Sequence, residues 1–186
     1  MAGKIKRKFV NIEGVAEWAK IFKSNRDLEG YRGAWKDTDG RTSINIILEP
    51  TEFEKLKEAG SLKKGKNVDG GINVKLDRKW DTGRDWDGGE PEIYRADGSR
   101  WDLDEDGYIG NGSKVRLQVS VAYLPDQDTY STVLEKVKVL DLIPYQKKDD
   151  FSSDESGGGS SPAPKSTKPT PHHNYHNDDL EDEIPF

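Results

Sequence analysis

Residues 115–123 read Val-Arg-Leu-Gln-Val-Ser-Val-Ala-Tyr. Val115, Leu117, Val119, Val121 and Tyr123 fall on one side of an extended chain. Lys114, Arg116, Gln118, Ser120 and Ala122 fall on the other. An alternation of period two belongs to a strand with one face on a core, because successive side chains of a strand point to opposite faces. The pattern recurs in shorter form. Thr42, Ile44, Ile46 and Leu48 share a side, and Ile72, Val74 and Leu76 alternate with Asn73 and Lys75. Residues 130–143 form another long strand, in which Leu140 and Leu142 blur the alternation and suggest burial on both faces. Strands separated by turn-rich loops make the chain mainly β, a small barrel or sandwich.

One short helix is signalled. Thr51 and Glu54 have capping-box spacing after Pro50; Phe53, Leu56 and Ala59 share a face, and Gly60 can close the end. Residues 14–23 fit a helix or a strand. No internal repeat is visible.

The charge is divided along the chain. Residues 1–148 hold 27 basic and 26 acidic side chains; residues 149–186 hold 2 and 9. The net charge of −6 therefore belongs to the second segment, and does not argue against an anionic ligand for the first. From Asp149 onward Gly, Ser, Pro and Thr dominate without apolar periodicity, which predicts a disordered linker and tail over 149–186 after a folded domain over 1–148. Cysteine is absent, so disulfides and thiolate metal sites are excluded. No apolar run nears the roughly 18 residues of a membrane span, and the basic N-terminal residues lack a signal-peptide apolar stretch. A soluble intracellular protein is expected.

Enzyme signals are scarce. The three histidines, His172, His173 and His176, all lie in the tail, and neither a phosphate-binding GxxxxGK[ST] loop nor a GxSxG elbow is present. No catalysis and no cofactor are expected. Asp102, Asp104 and Asp106, with Gly107 and Ile109, match the first half of a calcium loop, but Ser113 stands where the bidentate Glu belongs. An acidic β-turn accounts for this stretch, and calcium is kept as the alternative.

Aromatic residues in polar surroundings are more informative. Tyr31, Arg32, Trp35 and Lys36 lie together, and Lys79 precedes Trp80. Arg84 lies near Trp86, Tyr94 precedes Arg95, and Arg100 precedes Trp101. Lys75, Lys114 and Arg116 add cations on outward strand positions, and Lys4, Lys6, Arg7 and Lys8 form a basic arm. Exposed rings that stack on bases, beside cations that track phosphates, hold single-stranded nucleic acid without sequence preference.

The chain ends Asp178-Asp179-Leu180-Glu181-Asp182-Glu183-Ile184-Pro185-Phe186. This is similar to the C-terminal tip of bacterial single-stranded DNA-binding proteins, which end in acidic residues and Ile-Pro-Phe. The body, through residues 30–50, 109–117 and the strand that follows, resembles bacteriophage single-stranded DNA-binding proteins. The resemblance implies an OB-fold-like barrel that coats single-stranded DNA in replication, recombination or repair, in the cytoplasm of an infected host. It also implies recruitment of replication proteins such as a polymerase, helicase or primase through Asp178, Asp179, Glu181, Asp182, Glu183, Ile184, Pro185 and Phe186, and a possible homodimer. Apolar Ile184 and Phe186 would fill a partner's pocket while the carboxylates meet a basic rim. With no DNA bound, the acidic tip would compete for the basic groove. The alternatives are an adaptor that uses the tail as a docking peptide without binding DNA, and a calcium-binding β-domain.

Overall fold

The structure is a computed structural model that describes residues 5–85 and 87–147. The segment expected to form the linker and tail lies outside the described residues, as does Trp86.

Seven strands form one sheet: β1 (Arg7–Lys20), β2 (Arg41–Leu48), β3 (Gly65–Val68), β4 (Gly71–Lys79), β5 (Glu92–Tyr94), β6 (Lys114–Leu124) and β7 (Thr129–Asp141). Their order is β3-β4-β2-β1-β6-β7-β5. Every pairing is antiparallel except β5 with β7. Long β1 is the shared element, carrying β2 on one edge and β6 on the other. The sheet curls until β4 lies against β7. Arg78 spans that seam: its Nη1 donates to Leu134 O (3.4 Å) and Glu135 Oε2 (2.8 Å). The result is an OB-fold-like barrel with helix α1 (Pro50–Glu58) and a single helical turn, α2 (Leu103–Asp106), as expected from the resemblance.

The alternating residues fill the interior. Ile12, Ile44, Ile46, Leu76, Leu117 and Leu134 are fully buried, and each such side chain contributes roughly 1.5–3 kcal/mol of burial. Tyr123 departs from the pattern, being 41% exposed where β6 runs past the barrel end. Ser120 and Ala122 are buried although they point outward, because Glu135 accepts from Ser120 Oγ (2.5 Å) and the seam closes over them.

Bulges explain the two ambiguous stretches. In β7 the register slips at Glu135 and again at Leu140, so inward residues change from Leu134 to Val137 and Val139, and Leu142 packs on the core after the second slip. In β1 it slips between Glu17 and Lys20. Ile12 and Ala16 point in before the slip, and Ile21 is buried after it. One extra residue reverses the parity and imitates a mixed helical spacing. Residues 14–20 are thus strand, not helix.

Helix α1 starts two residues earlier than the Thr51 capping box predicts, and without such a box. Glu49 is the N-cap, its side chain makes no cap bond, and Pro50 occupies the first turn, where its missing N–H is not needed. The C-terminus is as expected. Gly60, at φ 97°, donates to Lys57 O (2.9 Å), and Ser61 N donates to Leu56 O (3.0 Å). That is the Schellman arrangement, which needs a left-handed residue.

Fully buried Ser113 ties the 110–113 turn to the strand exit. Its hydroxyl lies 2.8 Å from Gly110 O and 3.1 Å from Ile143 O, and it accepts from Ile143 N (2.9 Å). We expect Ser113→Ala to cost about 1–2 kcal/mol, since a buried N–H and a carbonyl lose their partner. A thermal melt should show a fall of roughly 3–6 °C; an unchanged Tm would refute this role.

Among the described residues no helix is long and apolar enough to cross a membrane.

Candidate nucleic-acid interface

The connection from β1 to β2 crosses the outer face of the β2–β4 pair. Its path is set by Asp27, whose Oδ1 accepts from Gly30 N (2.9 Å) and Glu29 N (3.2 Å), while its backbone bridges to Arg41. The Gly30 N–H, with Lys20 and Lys75 adding positive charge, holds the Asp27 carboxyl below its usual range. Further on, Asp81 N donates to Thr38 O (2.8 Å) and Trp80 N to Gly40 O (3.2 Å). The loop is thus fastened to the end of β4.

This fastening assembles four ring–cation pairs on three rings. Trp35 is half-buried; the Lys75 ammonium lies 4.6 Å from its ring centroid and the Arg41 guanidinium 5.5 Å. Gly30 lies directly against the same ring. Its φ is +65°, and a Cβ there would come within 2.6 Å of the indole, so only glycine lets the ring seat this way. The Arg26 guanidinium lies 4.4 Å from the Trp80 ring and is itself fixed by Asp39 Oδ2 (3.1 Å) and Lys23 O (2.9 Å). Tyr31 is 78% exposed, with the Arg32 guanidinium 5.0 Å from its ring. Guanidinium and ammonium groups favour aromatic faces at these distances.

An open groove of about 840 Å³ adjoins this loop at the seam between β4 and the β6–β7 hairpin. Arg7, Arg41, Lys63, Arg78, Lys79 and Arg84 line it. Several of these charges are matched internally. The Asp77 carboxylate accepts from both Arg41 Nη1 and Lys63 Nζ. Burial alone would push its pKa up, but Lys63 and Arg41 together outweigh that and hold it down. Arg78 pairs with Glu135 (2.8 Å) and Asp87 (3.6 Å). Among the described residues, Lys20, Arg32, Lys36, Lys75 and Lys79 make no ion pair. Their charge is available to an anionic ligand.

The structure divides the residues singled out in the sequence. Tyr31, Arg32, Trp35, Lys36, Lys75, Lys79 and Trp80 gather on the β1–β2 loop and the β2–β4 arm, with Arg84 on the groove wall. Tyr94, Arg95, Arg100, Lys114 and Arg116 lie on the β5–β7–β6 arm and its loops. Several of these are engaged internally. Arg116 Nε donates to Glu13 Oε1 (2.6 Å). Arg100 lies 5.2 Å from the Tyr94 ring. Trp101 packs against the core and donates from Nε1 to Gly107 O (3.1 Å).

The acidic turn is used by the fold. Asp102 Oδ1 accepts from Asp104 N (2.9 Å) and caps α2. Both oxygens of Asp106 accept from Arg95 Nε (3.0 and 2.9 Å), and Arg95 holds the Asp106 carboxyl below its usual range. A guanidinium seated on Asp106, one of the three candidate ligands of the calcium alternative, opposes a bound cation there. Among the described residues no three His, Asp or Glu side chains are grouped to hold a metal ion.

Arg26, Arg41 and Lys63 were not singled out from the sequence. Nothing local marks them, because their neighbours Trp80, Trp35 and Asp77 are distant in sequence or packed only by the fold.

No protein-family profile and no curated protein matches the chain. Among solved structures it is similar to gp2.5, a single-stranded DNA binding protein encoded by bacteriophage T7. The identity is 15%, the coverage 85% of this chain and 100% of that one, and the TM-score 0.49. It is also similar to the single-stranded DNA-binding protein from bacteriophage Enc34, at 11% identity, 78% and 88% coverage and a TM-score of 0.46. The complex of that protein with ssDNA matches at 10% identity, 74% and 89% coverage and a TM-score of 0.48.

Proposed function

We propose that this protein binds single-stranded DNA without sequence preference. The strand lies over the β1–β2 loop and the β2–β4 arm and enters the seam groove. The observation that carries this reading is the set of ring–cation pairs at Trp35, Trp80 and Tyr31, beside lysines that make no ion pair among the described residues. In OB-fold proteins the face of the second and third barrel strands and the first loop hold oligonucleotides. Here those elements are β2, β4 and residues 21–40. Bases stack on the Tyr31, Trp35 and Trp80 rings, while phosphates meet Arg32, Lys36, Lys75 and Lys79. Arg84 extends the path along the groove. Tyr94, Arg95, Arg100, Trp101, Lys114 and Arg116, on the other arm, would serve only a longer strand, and Trp86 lies outside the described residues.

The biological role that fits is coating of single strands during phage replication, recombination or repair. Asp178, Asp179, Glu181, Asp182, Glu183, Ile184, Pro185 and Phe186 would recruit replication proteins such as a polymerase, helicase or primase. Homodimerisation is part of the same proposal.

The test is a titration of labelled oligo-dT at 50 and 200 mM salt. With about four phosphates neutralised, affinity should fall roughly 50-fold between the two. A chain ending at Lys148 loses a net charge of −7 and should bind the polyanion at least as tightly. No binding by either chain would refute the proposal and leave the adaptor reading.

A further inference from the structure

We propose that Trp18, which the β1 bulge turns outward, is a base-stacking residue at the β1 edge of the same face; this rests on the single-stranded DNA-binding reading above.

Three observations meet at this residue. The first is exposure: Trp18 is 65% exposed, more than any other large apolar residue of β1, although Ala16 two residues before it is fully buried. The second is conformation. Trp18 has φ +49°, a left-handed geometry that is unusual for a bulky residue. Such strain persists only where the surroundings over-determine it, and it concentrates at ligand sites. The third is support. The Trp18 N–H donates to Asn111 Oδ1 (2.8 Å), across 93 residues of sequence. The same turn clamps the chain just before the bulge, through Gly112 N to Ala16 O (2.9 Å) and Ala16 N to Ser113 O (2.8 Å). A strand that merely needed to continue would require none of this. A bulge re-aims one side chain, and here that side chain is the largest of the twenty.

Register places the indole beside the candidate interface. Glu17 pairs with Asn45, and Asn45 with Lys75; the Asn73 amide donates to Glu17 Oε2 (3.2 Å) across the same outer face. After the bulge, Lys20 pairs with Ser43. Trp18 therefore lies between the row of Lys75 and the row of Lys20. Two strand spacings, about 10 Å, separate β1 from β4. Lys20 and Lys75 both lie near enough to act on Asp27, which joins this edge to the loop carrying Tyr31 and Trp35. An indole with cations on both sides, on a face continuous with the ring–cation cluster, suits a nucleobase with its phosphates on the lysines. Asn111 is the positioning residue that holds the bulge.

The test uses the full chain and labelled oligo-dT. Trp18→Ala should raise Kd about 5- to 150-fold, the range for losing one stacked base. The dependence of log K on log salt should keep its slope, since no phosphate contact is removed. Trp18→Phe should recover most of the loss. Trp18→Gly separates binding from folding: glycine suits the positive φ, so Tm should hold or rise while affinity falls as for alanine. Full affinity in Trp18→Gly, with a wild-type chain that binds, would overturn this inference and leave the broader one standing. Loss of affinity only in step with a lower Tm, or a changed molecular mass with unchanged affinity, would also overturn it, assigning Trp18 to the fold or to a protein contact. A wild-type chain that does not bind oligo-dT overturns both.

Discussion

Reversing Lys36, Lys75 and Lys79 to Glu together should lower affinity for oligo-dT about hundredfold or more at low salt. None of the three makes an ion pair among the described residues, so their charge is not already spent on a carboxylate. Each lost phosphate contact removes roughly 0.7 from the slope of log K against log salt. A slope near −2.8 for four contacts should therefore approach about −0.7. The fold should tolerate the change, because the residues are exposed and only Lys75 touches a ring, a contact worth about 0.5–1 kcal/mol at the surface. Reversing Lys114 and Arg116 on the β6 arm should change affinity less than about fivefold, as Arg116 already holds Glu13. An unchanged salt slope in the triple variant would remove the β2–β4 arm from the DNA path.

Asp77→Asn should move stability and binding in opposite directions. The Asp77 carboxylate is 8% exposed and holds both Arg41 and Lys63. Neutralising it leaves two cations without their counter-charge. Buried pairs broken in this way cost about 3–5 kcal/mol. Arg41 and Lys63 keep 26% and 30% of their side-chain surface in solvent, which reduces the loss to about 2–3 kcal/mol. A thermal melt should show a fall of roughly 6–10 °C. The freed guanidinium and ammonium line the groove, so oligo-dT should bind more tightly at low salt. Lower stability without tighter binding would mean that the groove does not carry DNA.

The same carboxylate makes stability depend on pH. Its pKa is lower folded than in the free side chain. Stability from this group is thus fully present above the ordinary carboxylate value of 3.8 and is lost as pH falls through the lower folded value. Asp77→Asn should flatten that acid limb of the stability curve.

Much of the barrel was legible because strands announce themselves by parity. Val115, Leu117, Val119 and Val121 are buried as the alternation requires, and the β2 and β4 runs pair in register, Ile44 with Leu76 and Ile46 with Val74. What parity cannot show is a bulge. Near Trp18 and Glu135 one extra residue shifts the inward set, and the pattern looks irregular for a reason that exists only between two paired strands. The short strands β3 and β5 carry too few residues for any period to register. Helix α1 was found by its apolar face and its closing glycine, while its start was misplaced because Pro50 can open a helix without a side-chain cap.

The candidate interface was legible as a composition but not as an arrangement. Composition and neighbour pairs showed that the aromatics keep basic company, which is a local property. Which cation serves which ring is not local. Arg26 reaches Trp80 and Lys75 reaches Trp35 only because the β1–β2 loop folds across the β2–β4 arm. The sequence by itself determined the β class, the alternating core, and a body of nearly balanced charge followed by an acidic tail, since each of these follows from residue type and spacing. The tertiary structure alone decided that Arg41 and Lys63 share one buried carboxylate, that Arg95 occupies the acidic turn, and that Trp18 faces out. Those outcomes depend on distances between residues far apart in the chain, and such distances are set by strand register and sheet curvature.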